Sequence, residues 1–559
     1  MSRNGQTGRS IYDEIVKLFH DKSIVMDAQI LNASSKYPKP SQHLFEYGTA
    51  GFRMNAALLD SVVFRIGLLA ALRSRKLGGQ AIGIMITASH NPWEDNGIKL
   101  VDPRGEMLER SWEVYATELA NTNDEDIAKV YSNLQEKLKI NPTARARVVY
   151  ARDTRMSGIR LIKVLVEGLQ AVEAEYTDYK LLTTPQLHYI TRCINMEGTE
   201  QSYGEPSEKG YYQKLSEAFA RAIKDKKIKG AVTVDCANGI GGPKLAEMKK
   251  YLQNLTDKLE IRITNDYVVK PEVLNFECGA DFVKSRQRAP KYPRIEDKER
   301  CCSFDGDADR LIYYFSDPEK GFRLLDGDKI ATLCASFLCE ILKDARLSDE
   351  LQIGVIQTAY ANGASTRYIE NALRLPVVCT PTGVKWLHQA ASKFDFGIYF
   401  EANGHGTVLF SQQALKSIQS LEPQSPAHAA ALEILKALAD LINQTVGDAI
   451  SDMLLVESIL AYRAWSVKEW DLMYSDLPNR LVRVDVSDRK KFKTMDAERR
   501  LVEPLGLQDD IDNLVKKYQN GRAFARPSGT ENILRVYAEA ATRSEADDLA
   551  SKVALLCRM

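Results

Sequence analysis

Three related α/β units in series, followed by a C-terminal α+β layer, are predicted by three observations. A continuous apolar run, a small-residue turn and a 3.6-residue periodicity recur in that order from residues 148, 231 and 353. The last hundred residues change to alternating strands and a terminal helix. At 559 residues the chain is also too long for one hydrophobic core, so several domains are required. The predicted divisions are 1–190, 191–317, 318–450 and 451–559.

Residues 1–10 are polar, with no apolar signal core or small-residue cleavage site, and lead into the amphipathic stretch 11–19. Residues 82–86 form a strand that ends at Thr87-Ala88-Ser89-His90-Asn91-Pro92, and the charged stretch 121–139 reads as a solvated surface helix. The strand 148–153 turns through Ser157-Gly158 into helix 159–169, the strand 231–235 through Asn238-Gly239 into 243–252, and the strand 353–356 through Asn362-Gly363 into 364–373. Polar, Pro/Ser-containing residues 412–424 read as a loop before the Ala/Leu-rich helix 427–441. In the last unit, 481–486 and 533–540 are strands, and Ser544 is the expected N-cap of the final helix.

Lys plus Arg and Asp plus Glu both number 75, which gives no charge argument for nucleic acid or a membrane surface as partner. No run approaches the ~20 apolar residues of a membrane span. Nine cysteines at irregular spacing form no Cys-x-x-Cys or paired metal pattern, and a reduced, cytosolic compartment fits them.

Four loops carry chemistry. Ser89 lies just past a strand end, where α/β proteins place ligands, although a turn serine alone decides nothing. Asp305, Asp307 and Asp309 alternate between two apolar strands and can aim three carboxylates at one point. Such a set repels itself without a cation, and all-oxygen ligation favours Mg²⁺ or Ca²⁺; the positions an EF-hand would fill with Gly and Glu are Arg310 and Ser316. Glu401-Ala402-Asn403-Gly404-His405 follows the strand 397–400 with donors, acceptors and little bulk, which suits a polyhydroxylated ligand; Thr382-Gly383-Val384-Lys385 supplies a nearby cation. Arg526, Ser528, Gly529 and Thr530, with Arg535 on the adjoining strand, form an anion cradle. No Walker or Gly-x-Gly-x-x-Gly sequence supports nucleotide binding. A storable hydroxyl, a caged cation and an anion pocket point to moving a phosphoryl group.

In this order the loops resemble the α-D-phosphohexomutase superfamily across nearly the whole chain, and within it the branch acting on N-acetylglucosamine phosphates, where Asn403 replaces a serine found in glucose and mannose relatives. The resemblance implies four domains around a central cleft and interconversion of N-acetylglucosamine 6-phosphate and 1-phosphate, a step feeding UDP-N-acetylglucosamine synthesis. It implies a phosphoserine at Ser89, and one Mg²⁺ held by Asp305, Asp307, Asp309 and the phosphorylated Ser89. By the same resemblance Arg53 and Lys99 are active-site groups, and Glu401, Asn403 and His405 face the sugar; Lys99, His90 or Arg310 can steady the oxygens of the transferring group, and Thr382, Gly383 and Lys385 of the same unit are added to the sugar contacts. The non-reacting phosphate goes to Arg526, Ser528, Gly529, Thr530 and Arg535. A bisphosphorylated sugar serves as primer and intermediate, partners are small sugar phosphates, and the chain is expected as a monomer or weak dimer. Phosphoglucomutase or phosphomannomutase activity, a Mg²⁺-dependent sugar phosphatase and a non-catalytic sensor are the alternatives.

Overall fold

The computed structural model describes residues 25–558 except 293, 530 and 531; the polar start 1–10, the amphipathic stretch 11–19 and Thr530 therefore lie outside the described residues. Among the described residues no helix is long and apolar enough to cross a membrane.

The first sheet runs, in spatial order, Phe52–Asn55, Asp95–Val101, Ala81–Ile86, Arg147–Arg152 and Glu175–Leu181. The second runs Gly321–Leu325, Leu311–Asp317, Arg300–Phe304, Val232–Asp235 and Ile261–Thr264, and the third Val377–Thr380, Ile353–Thr358, Phe396–Phe400 and Gly406–Phe410. In each, parallel strands make the centre and one flank, while a hairpin partner turns back antiparallel on the other. Every residue of Ala81–Ile86, Arg300–Phe304 and Ile353–Thr358 is buried, which is why these strands read as unbroken apolar runs rather than alternating ones.

The three units share this layout with one permutation. In the second and third, the strands Val232–Asp235 and Ile353–Thr358 precede the hairpin; in the first, the hairpin precedes Arg147–Arg152. The fourth sheet orders Asn479–Asp485, Ile533–Glu539 and Arg522–Pro527, all antiparallel, with helix Arg543–Leu556 packed on one face through Leu549 and Val553 against Leu534 and Val536. All four chemistry-bearing loops therefore sit at one structural place, the tip of an antiparallel hairpin.

Several expected boundaries move. The division at 190 falls inside helix Thr184–Met196, and that at 317 separates Leu311–Asp317 from Gly321–Leu325, with which it pairs. The division at 450 falls inside helix Ala449–Arg463, which packs in the large core shared by the second and third sheets rather than with the C-terminal layer. Residues Gln412–Ser420 are a helix capped by Ser411 that buries Ala414 and Ile418, not a loop: two apolar contacts per nine residues were too few to show as periodicity. Within 121–139, helix Ile127–Lys137 buries Ile127, Ala128, Tyr131 and Leu134, so only one face is solvated. Thr542, not Ser544, caps the last helix, in a reciprocal box with Glu545.

The C-terminal sheet docks on the third unit through few groups. Arg522 donates to the carbonyls of Ala359 at 2.8 Å and Ala361 at 2.5 Å, and the Glu539 carboxylate that pairs with Arg522 also accepts from Gly363 N.

Candidate active site

The serine loop is fixed from behind. Ser89 adopts a left-handed φ of 51°, a strained conformation for a residue with a side chain. Buried Arg155 donates to the carbonyls of Ser89 and Asn91 at 2.8 and 3.0 Å, and Asn275 of the second unit donates to the same two oxygens at 2.9 and 3.0 Å. Asp153 in turn accepts from Arg155 and from Thr87, whose hydroxyl accepts Ser89 N. None of Arg155, Asp153 or Asn275 was singled out from the sequence as a site residue. They act on the backbone of the serine loop and on one another, so residue chemistry alone does not mark them.

The metal loop closes on this serine. Ser89 Oγ donates to Asp305 Oδ2 at 2.5 Å, across a separation of 216 residues. Gly306 permits that approach: an added Cβ would fall 2.5 Å from the Ser89 carbonyl oxygen. Asp305, Asp307 and Asp309 are buried, with one oxygen from each within 4.8 Å of the others. Lys99 Nζ lies 3.3 Å from Asp307 and 3.4 Å from Asp309, and Thr184 donates to Asp307 at 2.6 Å. Arg310 pairs with Asp281 at 2.6 Å and stands 3.8 and 4.0 Å from Asp305 and Asp309.

Electrostatics divide the three carboxyls. Burial, then Asp309 and Asp307, push Asp305 well above the ordinary carboxylate range. Against burial and Asp309, the neighbours Lys99, Thr184 and Arg53 hold Asp307 below it, and His405 and Lys99 hold Asp309 well below it. Asp307 Oδ1 and Asp309 Oδ1 are buried with no hydrogen-bond donor among the described residues. A hard cation satisfies both and relieves the repulsion, so the residues present fit a Mg²⁺ ion.

His90 Nδ1 accepts from Arg53 at 3.5 Å and lies 3.4 Å from Ser89 Oγ. Burial, then Arg310 and Arg53, push its pKa down to about 3, so its ring is neutral at physiological pH. Arg53 also donates to Asn91 at 3.3 Å.

In the third loop His405 Nδ1 donates to the Asp309 carbonyl at 2.8 Å and lies 3.4 Å from Oδ1 of the same residue. Asn403 Oδ1 accepts from His405 N, and its amide group donates to Glu401 at 3.3 Å. Gly404, at φ 88°, brings the loop onto the Leu311 carbonyl, where a Cβ would be 2.0 Å away. The third loop is thus stitched to the carboxylate loop.

Lys385 is not brought to this loop. Its ammonium is held by Glu113 and the Leu108 carbonyl, and burial lowers its pKa. Gly383 instead abuts Thr49, with an added Cβ 3.2 Å from its hydroxyl, which joins this segment to the residues just before the strand Phe52–Asn55 that carries Arg53.

The cradle is more open. Arg526 and Arg535 face each other in register on neighbouring strands, with Arg483 next in the row. Among the described residues other than its chain neighbours, no atom lies within 4 Å of where a Cβ on Gly529 would stand. Arg489 donates to the Ser528 carbonyl at 2.8 Å. Glu498, in the turn between Lys493–Met495 and Arg500–Glu503, lies 3.2 Å from Arg526 Nε and accepts Thr382 N at 2.9 Å. Asp496, Ala497 and Glu498 all have positive φ, so three successive left-handed residues present this carboxylate. Nothing in the residue pattern marks Glu498, whose signal is a turn with no glycine.

Comparison with known proteins shows the family. Residues 199–312 and 326–465 match the family models "Phosphoacetylglucosamine mutase AMG1", domains II and III. Residues 68–127 and 114–200 match the α/β/α domain I, and 481–556 the C-terminal domain, of phosphoglucomutase/phosphomannomutase. The human phosphoacetylglucosamine mutase is 51% identical, covering 94% of this chain and 96% of its own. The Aspergillus fumigatus N-acetylphosphoglucosamine mutase in complex with GlcNAc-6P and magnesium superposes with a TM-score of 0.93 at 59% identity, covering 96% of this chain and 99% of that one. A variant of the same fungal enzyme in complex with glucose 1,6-bisphosphate gives 0.92 and 59%, with 96% and 98% covered. This chain belongs to the phosphoacetylglucosamine mutase family of the α-D-phosphohexomutase superfamily.

Proposed function

We propose that this chain moves a phosphoryl group between the 6- and 1-oxygens of N-acetylglucosamine, with Ser89 as the carrier. The observation that carries the reading is the 2.5 Å contact of Ser89 Oγ with Asp305 inside a buried three-carboxylate cage. Relatives named as phosphoacetylglucosamine mutases, and a fungal one in complex with GlcNAc-6P and magnesium, support it.

In the first half-reaction the bond from phosphorus to phosphorylated Ser89 Oγ breaks, and a bond to a free sugar hydroxyl oxygen forms. The hydroxyl proton must leave. Neutral His90 accepts it at Nδ1, the lone pair that Arg53 otherwise occupies, and passes it to the departing Ser89 Oγ 3.4 Å away. The product is a bisphosphorylated sugar. After it turns over, the other phosphate faces Ser89 and returns its phosphoryl group, restoring the carrier. Asp305, Asp307 and Asp309 would hold Mg²⁺ with the phosphoserine, and that ion supplies charge neutralisation at the transferring group. Lys99 and Arg310, already packed on the cage, add positive charge beside the same oxygens.

Arg526, Arg535, Ser528, Gly529 and Thr530 take the phosphate that is not reacting. Glu498 holds Arg526 until phosphate displaces it. Thr382 and Gly383 line the passage between cradle and sugar loop, where Glu401 and the Asn403 amide meet the sugar and its acetamido group. Because the Asn403 carbonyl is spent on His405 N, selectivity rests on its N–H donors and on the room beside it. Asn403→Ser should lower the ratio of activity on N-acetylglucosamine to glucose phosphates by up to about tenfold. An unchanged ratio removes Asn403 from this role.

The chain works in the cytosol as a monomer or weak dimer, with one Mg²⁺ and no nucleic acid or membrane partner. Purified protein given N-acetylglucosamine 6-phosphate, Mg²⁺ and a trace of bisphosphorylated sugar should yield the 1-phosphate, and EDTA should stop it. Free inorganic phosphate as the product would make it a phosphatase. Binding without turnover would make it a sensor.

A further inference from the structure

A cavity of about 600 Å³ opens between the helix pair Thr184–Met196 and Glu208–Ile223 and the pair Gln412–Ser420 and Pro426–Leu441. None of its lining residues belongs to the four loops. Five cationic side chains line it, Arg192, Lys214, Arg221, Lys416 and Lys436, against the acids Glu200 and Asp440, in a chain whose cations and acids are equal in number. Lys214 and Arg221 share Asp440. Arg192, Lys416 and Lys436 have no hydrogen bond or ion pair among the described residues.

The cavity is built rather than incidental. The Arg192 guanidinium stacks 3.8 Å from the centroid of the buried Tyr203 ring, and Lys214 Nζ stands 4.6 Å from the same ring. Stacking fixes the guanidinium plane and leaves its edge N–H groups for an acceptor. Tyr203 is fixed in turn, its hydroxyl accepting from Gln444 N at 3.0 Å. Three uncompensated cations around a space this size match an anion of several charges, and a planar guanidinium beside two ammonium groups suits adjoining phosphoryl groups.

We propose that this cavity is a second anion site, taking a small molecule with two or more linked phosphoryl groups. Its walls lead to the metal cage. Arg192 lies eight residues along the helix whose first residue, Thr184, donates to Asp307, which is about 12 Å at 1.5 Å per residue. From Gln444 the chain runs to Ala449, whose N–H donates to the Ala308 carbonyl at 3.0 Å. An occupant of the cavity therefore braces the helix and the turn that shape the cage.

The test uses metal-free protein carrying Arg526→Ala, so that the phosphate cradle is disabled, titrated calorimetrically with inorganic pyrophosphate, inorganic phosphate and ADP. Pyrophosphate should bind once per chain, at least tenfold tighter than phosphate. ADP binding as tightly as pyrophosphate marks a nucleotide as a fitting source, and weaker ADP binding marks free polyphosphate. Adding Arg192→Glu with Lys436→Glu should weaken pyrophosphate at least tenfold, and the milder Arg192→Gln with Lys436→Gln about threefold. Pyrophosphate should also slow amide exchange within residues 184–196. Absence of binding once Arg526 is removed, or affinity indifferent to both pairs of substitutions, would overturn the proposal.

Discussion

The hairpin tips at Ser89 and at Ser528 are the same structural element with both serines buried, and they differ in what surrounds them. Ser89 is 1% exposed, held by Arg155 and Asn275 from behind and by Asp305 in front. The Ser528 tip ends in an exposed Gly529 and meets the rest of the molecule through Arg526, Glu498 and the Arg522 clamp. The difference follows from what each tip must do. On the proposed function, transfer of a phosphoryl group needs fixed geometry and excluded water, whereas the cradle accepts a phosphate from either end of a sugar that turns over. Rigidity is placed at the chemistry, and adaptability at the far end.

Four substitutions sharpen or break this contrast. Ser89→Ala should lower turnover by roughly four powers of ten or more while leaving sugar phosphate binding nearly intact, measured by steady-state kinetics beside calorimetry. Asp305→Asn should abolish the rise in melting temperature that Mg²⁺ gives the wild type. In EDTA the variant should melt higher than the wild type, because burial and two neighbouring carboxylates already disfavour the charge at Asp305. A lower melting temperature in EDTA would mean that the cage is stabilised by its charges rather than strained by them. Arg526→Ala should reduce kcat/KM about 10- to 150-fold, from loss of ~1.5 to 3 kcal/mol of charged hydrogen bonding, with the metal response unchanged. Glu498→Gln should act the other way and most weakly, lowering KM about two- to fivefold, because the pair with Arg526 is partly solvated and worth under about 1 kcal/mol. A raised KM would instead make Glu498 a substrate contact.

The buried half was the more legible in sequence. Alternating Asp305, Asp307 and Asp309 between apolar strands announce a cage because three carboxylates so close have few other uses, and the structure brings their oxygens together. The βα recurrences were also readable, since doubly covered strands lose polar alternation; the permutation of the first unit was not, because chain order hides spatial order. What could not be read were partners set by long-range packing. Asn275 reaches Ser89 across 186 residues, Lys385 turns to Glu113, and Glu498 bridges Thr382 and Arg526. Each is an ordinary polar residue whose role is decided only by what the fold places beside it.

The most direct test is to give the Mg²⁺-loaded protein a bisphosphorylated sugar labelled on its phosphates, quench it in acid within a turnover, and map the labelled peptide. The expected result is a single label on Ser89, chased off by unlabelled sugar monophosphate, and absent from the Asp305→Asn variant. A stable label on another residue, or turnover with no labelled protein at any time, would contradict a serine carrier seated in a carboxylate cage.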